Sequence, residues 1–412
     1  MLNRVTVSGY KSLDNATLQF APFSVIVGRN NVGKSNLFDA LRLLSHFAQM
    51  PAAAAFKPEL HRGDPIESFF SEETPVLSII CDLDLSHSPH PFEADERLSH
   101  PYLHYELTVE FRKGTLVFSS ETLEGKTKAD SKGTPKAFIK SAQNDKTKVS
   151  LNRDKTDGGK VRQFPFPSSR SILSFIDDAE LYPHVVALAQ ELRSWRFFHF
   201  EPDVLREPSP SMDIPELEPN GRGLSGFYDT LLNRNPDRFQ SAERALRRAI
   251  PEVENIKLLP TGDRRKLLAI VKKDKREFGA RVLSDGTLRF LALLALAYAP
   301  QPPGLICFEE PENGVHPARL PFIVDTLRGI SQRGLEVGAR SQVIVNSHSP
   351  YLVDLLEPEE MIVAQLNGGG RTVFSSVGND LFSSKPALKE MLITGETTLG
   401  EIWAQGSLDA KA

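Results

Sequence analysis

The sequence predicts an α/β fold: a mainly parallel core sheet with helices on both faces, interrupted by an antiparallel, β-rich insertion. Three observations carry this expectation. Short, mostly apolar runs (SVIV at 24–27, LICF at 305–308, QVIV at 342–345) alternate with amphipathic stretches, as strands buried on both faces do. The first run leads directly into GRNNVGKS at 28–35, which satisfies G-x-x-x-x-G-K-[ST] and reads as strand, phosphate loop, helix. By contrast, PVLSIICDLDL at 75–85 and YLHYELTVEFRKGTLVFSSETL at 102–123 alternate apolar and polar residues, the pattern of antiparallel strands.

In chain order, MLNRVTVSGY alternates like a strand and is followed by strands ATLQF and FSVIV. A glycine-rich turn then opens a helix from Lys34 to about Gln49, with Leu37, Ala40, Leu41 and Leu44 on one face. PAAAAFKPE breaks that pattern, and residues 51–190 read as an insertion: antiparallel strands, then a polar, lysine-rich stretch to about 162. Apolar strands return at SWRFFHFEP, and NPDRFQSAERALRRAIP places Phe239, Ala242, Leu246 and Ile250 on one helical stripe. Helix and buried strand then alternate through RFLALLALAYA, GLICFEE, ARLPFIVDTLRGI, SQVIVNSH and EMIVAQL. The expected division is one discontinuous unit, 1–50 with 191–365, an inserted β-rich and basic region at 51–190, and a C-terminal extension at 366–412. Neither a solenoid repeat nor a sustained heptad run is visible.

Composition excludes several classes. With 40% hydrophobic and 25% charged residues and a net charge of −4, the chain reads as globular. Cys81 and Cys307 each sit in an apolar run, which suits buried thiols in a reducing compartment better than a disulfide framework or a zinc site. The N-terminus has no signal-peptide core, and FLALLALAYA is far too short to span a membrane. A cytoplasmic protein with no membrane partner is expected.

Three segments carry chemistry. In the loop at 28–35, glycines let backbone amides wrap a phosphate, Lys34 reaches the β and γ phosphates of ATP, and Ser35 ligates Mg²⁺. The nucleotide-binding set is therefore Gly28, Arg29, Asn30, Asn31, Val32, Gly33, Lys34, Ser35 and Asn36. LICFEEPENGVHP ends a buried strand in two carboxylates at the edge where open α/β sheets bind ligands. Glu309 is assigned to the metal and Glu310 to orienting and deprotonating the attacking water; alone, the segment would read as an acidic turn. QVIVNSHSP ends its strand in Asn346, Ser347 and His348, where a histidine can hydrogen-bond a γ-phosphate, although a structural histidine has the same local pattern.

A fourth segment, VLSDGTLRF at 282–290, reads by itself as a helix cap. Its place between the phosphate loop and EEPENGVHP changes that, because the order phosphate loop, LSDG, EE, strand-end histidine resembles ABC-type ATPase heads. The wording is closest to the RecF/SMC-like and overcoming-lysogenization-defect (OLD)-like branch, stand-alone predicted ATPases labelled AAA; GRNNVGKSNLFDAL, LSDGTLRFLALLAL, EEPENGVHP and VIVNSHSPYLVD carry the likeness, and VSGYKSLDNATL and TTLGEIWAQGSL extend it to both ends.

The resemblance implies a two-lobed P-loop NTPase head that hydrolyses ATP as a homodimer. Glu309 would take the Walker B position, Glu310 that of the catalytic glutamate and His348 that of the switch histidine, while Ser284 and Gly286 would touch the γ-phosphate bound by the other subunit. Glu309 and Asp285 stand where transporter heads have Asp and Gly, which moves the reading away from transporters. The lobe-linking glutamine has no clear equivalent; His199 and Glu201 are the candidates. Lys11 reads equally as a phosphate contact or an exposed strand-end lysine.

From Lys34 to Ser284 the chain runs 250 residues, too many for a compact transporter head and too poor in heptads for coiled-coil arms. The 64 residues after His348 are too few for a nuclease domain, so any cleavage would come from a partner. Residues 112–162 hold thirteen Lys/Arg against six Asp/Glu, and 257–276 eight against two. Binding to double-stranded DNA is one reading, and solvated charge the other. His87, His90, His100 and His104 cluster in a proline-rich stretch without metal-ligand spacing. Three outputs stay open: a switch in DNA repair or in defence against phage and plasmids, with a nuclease or other effector; an ATP-gated scaffold that never touches DNA; and, least favoured, a transporter subunit.

Overall fold

The computed structural model describes residues 1–57, 70, 75–86, 98–112, 114–129, 133–141, 147–153, 161–262, 264–337 and 341–408. The chain opens on β1 (Leu2–Ser8), β2 (Ala16–Gln19) and β3 (Phe23–Val27). Next come β4 (Val76–Asp84), β5 (Tyr102–Arg112), β6 (Thr115–Lys126), β7 (Lys136–Ser141), β8 (Lys148–Leu151) and β9 (Arg162–Pro165). β10 (Arg196–Phe198) and β11 (Ser209–Pro210) precede β12 (Val253–Thr261), β13 (Arg265–Lys272) and β14 (Glu277–Gly279). β15 (Leu305–Glu309), β16 (Gln342–Ser347), β17 (Met361–Leu366) and β18 (Thr372–Ser376) come last.

The core sheet runs β10-β15-β16-β3-β17-β18. Every neighbouring pair is parallel except β17 with β18. β3, β15 and β16 are buried along their whole length, because alternate side chains enter two separate cores. Ile26, Cys307 and Ile344 pack on one face with the Lys34–Phe47 and Pro183–Ser194 helices. Val25, Phe308 and Val345 pack on the other with the Asp285–Ala297 and Leu320–Val337 helices. Register then decides what meets: Glu309 pairs with Asn346 and Ser347 with Val27, so the phosphate loop, the acidic turn and the histidine leave one sheet edge side by side.

The second sheet is antiparallel, β2-β1-β4-β5-β6-β7-β8-β9. The first twenty residues and the strands at 76–165 thus share a sheet, and β18, at 372–376, joins the core sheet. The lysine-rich stretch, expected to be a polar segment, contains β7, β8 and β9. Their fully buried residues are Phe138, Ile139, Val149 and Leu151, with Phe164 half-buried against the same core, too few alternations to stand out among the lysines. Gln342, itself buried, joins the two sheets: its Oε1 accepts from Leu2 N at 2.8 Å, and its Nε2 donates to Leu2 O at 2.8 Å and Ala21 O at 3.2 Å.

A third sheet, β11-β13-β12 with β14 on β13, carries the second basic run. Lys257, Lys266, Lys275 and Arg276 of that run form ion pairs with Glu277, Asp229, Glu254 and Asp274. Both cysteines are free and buried, and burial pushes both thiols up. No described helix is long and apolar enough to cross a membrane.

Of the clustered histidines, His87 and His90 lie outside the described residues. His100 packs edge-on to His184, and its backbone N–H donates to His184 Nε2 at 3.1 Å. His104 sits between Asp82 (Nδ1 to Oδ1, 2.6 Å) and Glu106 (Nε2 to Oε1, 3.0 Å). No group of three metal-ligating side chains forms among the described residues. The hydrogen bond to Asp82 leads in raising His104 from 6.5 to about 9. A raised folded-state value means stabilisation that is complete below the unfolded value and lost as pH rises through about 9. His104→Gln should therefore lower the melting temperature at about pH 6 and leave it unchanged at about pH 10; equal losses at both would remove the electrostatic account.

Candidate functional site

The phosphate loop leaves β3 and turns into the Lys34–Phe47 helix through Asn31 (φ 62°) and Gly33 (φ 97°), both left-handed. A Cβ on Gly33 would stand 2.1 Å from Thr372 Oγ1, and one on Gly28 2.5 Å from Ala364 O. Both positions therefore require glycine for space, and Gly33 also for its φ. Lys34 is buried, and its Nζ donates to Gly28 O at 2.7 Å and Arg29 O at 2.8 Å, so its ammonium lies inside the curl of the loop. Burial pushes this ammonium below its ordinary value, against the opposing pull of Glu310 and Glu312.

The loop is braced from far along the chain. Thr372 Oγ1 donates to Val32 O at 2.9 Å and contacts Ser12 Oγ at 2.6 Å, and Asn36 Nδ2 donates to Ser12 Oγ at 2.8 Å. Lys11 is paired with Asp39 of the loop's own helix at 3.1 Å.

At the end of β15, Glu309 is buried and its Oε2 lies 3.8 Å from His199 Nδ1, just past β10. Of the two candidates in RFFHFEP, the structure thus brings His199 to the acidic edge; Glu201 starts the short Pro202–Leu205 helix, with its N–H on Asn220 O. Glu310 takes φ 47°, a left-handed conformation that costs a non-glycine residue about 1 kcal/mol. Asn346 compensates: its Oδ1 and O accept from Glu310 N at 3.0 and 3.1 Å. The carboxylate is held at both oxygens, Oε1 at 3.1 Å from His348 Nδ1 and Oε2 accepting from Asn313 Nδ2 at 2.7 Å.

Asn313, Asn346 and Glu312 were not singled out for roles in the sequence. Glu312 is buried; its Oε1 accepts from Ser347 Oγ and from His348 N at 3.4 Å, and its Oε2 is buried with no hydrogen-bond partner among the described residues. Burial pushes its carboxyl up. The third carboxylate of EEPE was the available signal.

In the LSDG segment, Ser284 caps the Asp285–Ala297 helix: its Oγ accepts from Thr287 N at 3.4 Å. Ser284 and Asp285 are exposed, whereas Gly286 is buried, and a Cβ there would stand 2.8 Å from Gly314 O. Gly286 thus lets the helix start rest on the turn that follows Glu310. Arg206 fixes the segment by donating to Leu283 O at 3.2 Å and pairing with Asp285. Arg289, one turn on, donates to Asn313 O at 2.7 Å. A cavity of about 500 Å³ opens on Gly28, Arg29, Val32 and His348, with Trp403 on its far wall.

A loop shaped for glycine, a strand-end acid pair and a strand-end histidine leave one parallel sheet edge of a P-loop ATPase whose fold is that of ABC and SMC heads. The chain belongs to the family described as "AAA domain, putative AbiEii toxin, Type IV TA system", whose profile matches residues 23–354.

Among solved structures, an SMC head bound to the C-winged helix domain of ScpA aligns with TM-score 0.56 and 13% identity, over 93% of this chain and 99% of that one. The Smc head domain with an extended coiled coil bound to the C-terminal domain of ScpA, from Pyrococcus furiosus, aligns with TM-score 0.53 and 13% identity, over 95% and 99%. No curated protein sequence is significantly similar.

Proposed function

We propose that this ATPase is a conformational switch in which two copies close head to tail around two nucleotides. The carrying observation is Glu310, whose backbone is fixed by Asn346 and whose carboxylate is fixed by Asn313 and His348. A carboxylate so held is placed to orient a water and take its proton. Lys34 and the amides of 28–36 receive the phosphates, and His348 contacts the γ-phosphate. Ser35 and Glu309 supply a hydroxyl and a carboxylate, a donor set that suits Mg²⁺ with its remaining sites on phosphate and water. Bound there, Mg²⁺ would neutralise phosphate charge.

The exposure of Ser284 supports dimerisation, since its hydroxyl is available to a phosphate held by a second copy. Gly286 supports the same interface indirectly, by seating the helix start against the turn at Gly314. The output we favour is a DNA-related process, repair or defence against phage and plasmids, acting with an effector protein such as a nuclease. That related solved heads are bound to ScpA domains supports protein partnership. A scaffold that gates a partner without touching DNA is the second reading, favoured by the ion pairs that engage four cations of the 257–276 run.

Two measurements on the wild-type protein test this. With a non-hydrolysable ATP analogue and Mg²⁺, the solution mass should double from 45.8 kDa; an unchanged monomer mass at saturating analogue would defeat the dimer. ATPase rate should rise when duplex DNA is added at low salt and fall back as salt is raised. A rate indifferent to DNA rejects DNA as the output and favours the scaffold.

A further inference from the structure

The helix Pro236–Ala249 buries Phe239, Ala242, Leu246 and Ala249 in the core that it shares with the Asp285–Ala297 helix. Arg238, Ser241, Arg244 and Arg248 recur every three or four residues on an adjoining face, where they wall a cavity of about 480 Å³. The other wall is the end of the Asp285–Ala297 helix and the residues just after it, with Leu296 and Tyr298, and Ile330 adds apolar surface.

One side of this hollow is cationic, and the other is apolar and aromatic. No described carboxylate lines it. Arg238 donates to Ala299 O at 2.9 Å and Arg244 to Ser241 Oγ at 2.7 Å. Among the described residues, none of the three arginines has a carboxylate partner. Three like charges gathered without a counter-charge repel one another, and an anion entering the hollow relieves that repulsion while using the planar donor forks. The volume lies in the range of small-molecule sites. A duplex backbone is convex and would meet only the rim.

The geometry points to a binding site in this hollow for a phosphorylated small molecule that carries an apolar ring or chain. Arg244 and Arg248 take the phosphate, whose oxygens accept more donors than a carboxylate can, and the apolar part lies against Leu296 and Tyr298. This site is separate from the phosphate loop. It sits at the far end of the 13-residue helix that Ser284 caps, about 20 Å along its axis.

Phenyl phosphate is the probe, titrated calorimetrically into the full chain. It should bind wild type and Lys34→Ala alike, and more tightly than inorganic phosphate does. Arg244→Gln and Arg248→Gln should each weaken it by roughly tenfold. Both arginines are exposed, so the variants should melt with wild type; if one fails to fold, the other decides.

The site is overturned if wild type shows no binding at about 10 mM probe, a concentration that would reveal even weak affinity. It is equally overturned if both glutamine variants bind normally, or if Lys34→Ala abolishes binding. An arginine-dependent affinity for duplex DNA without one for phenyl phosphate would also reject it, in favour of a nucleic-acid surface.

Discussion

Lys34→Ala should abolish ATP binding, and hydrolysis with it, in a protein that still folds. The ammonium is buried inside the loop and spends its donors on Gly28 O and Arg29 O. An arriving phosphate competes for those donors with a full negative charge, and hydrogen bonds to charged groups contribute about 1.5–3 kcal/mol each. Losing two of them lowers affinity by about a hundredfold or more. The fold should survive, because Gly33, Thr372 and Ser12 shape the loop without the lysine. Equilibrium binding of a fluorescent ATP analogue reads the effect directly. Wild-type affinity in the variant would place the phosphates elsewhere.

Glu310→Gln should separate binding from hydrolysis. The amide is isosteric: its oxygen can still accept from Asn313 and its nitrogen can face His348, so ATP affinity should stay within a few-fold. What disappears is the base, and turnover should fall by about 10²–10⁴-fold. With ATP unable to turn over, dimers should accumulate, visible as a doubled mass in solution. Hydrolysis at the wild-type rate would show that another group deprotonates the water, and Glu312, buried with one oxygen unpartnered among the described residues, would be the first to substitute.

Much of the parallel core was legible because its signals are local. Short, mostly apolar runs mark β3, β15 and β16, strands of five or six residues, and each run is followed at once by its candidate site residues. Glu309, Glu310 and His348 could be assigned to one edge because parallel strands present their carboxyl ends together. The groups that hold those residues were not legible. Thr372 and Val32 are 340 residues apart in sequence, and no spacing rule links them. Asn346 was visible only as a polar strand end, and its use depends on Glu310 taking a positive φ, which acidic residues seldom announce. The segment LSDG was recognised, yet the burial of Gly286 against Gly314 was not, because an inward glycine and a phosphate-facing one look alike in sequence. The strands β7–β9 were missed because the nine lysines of residues 126–160 outnumber the four fully buried residues of these strands.

The brace from Thr372 to the phosphate loop has a consequence for biosynthesis. A ribosome that has delivered residues 1–360 has already delivered the loop, the LSDG segment, the acid pair and the histidine. The hydroxyl that pins Val32, however, is still to be translated, and Ser12 waits for it. The bracing of the loop is therefore completed only once Thr372 has been made, so a nascent chain carries its phosphate loop through more than three hundred further residues of synthesis before it can grip ATP firmly.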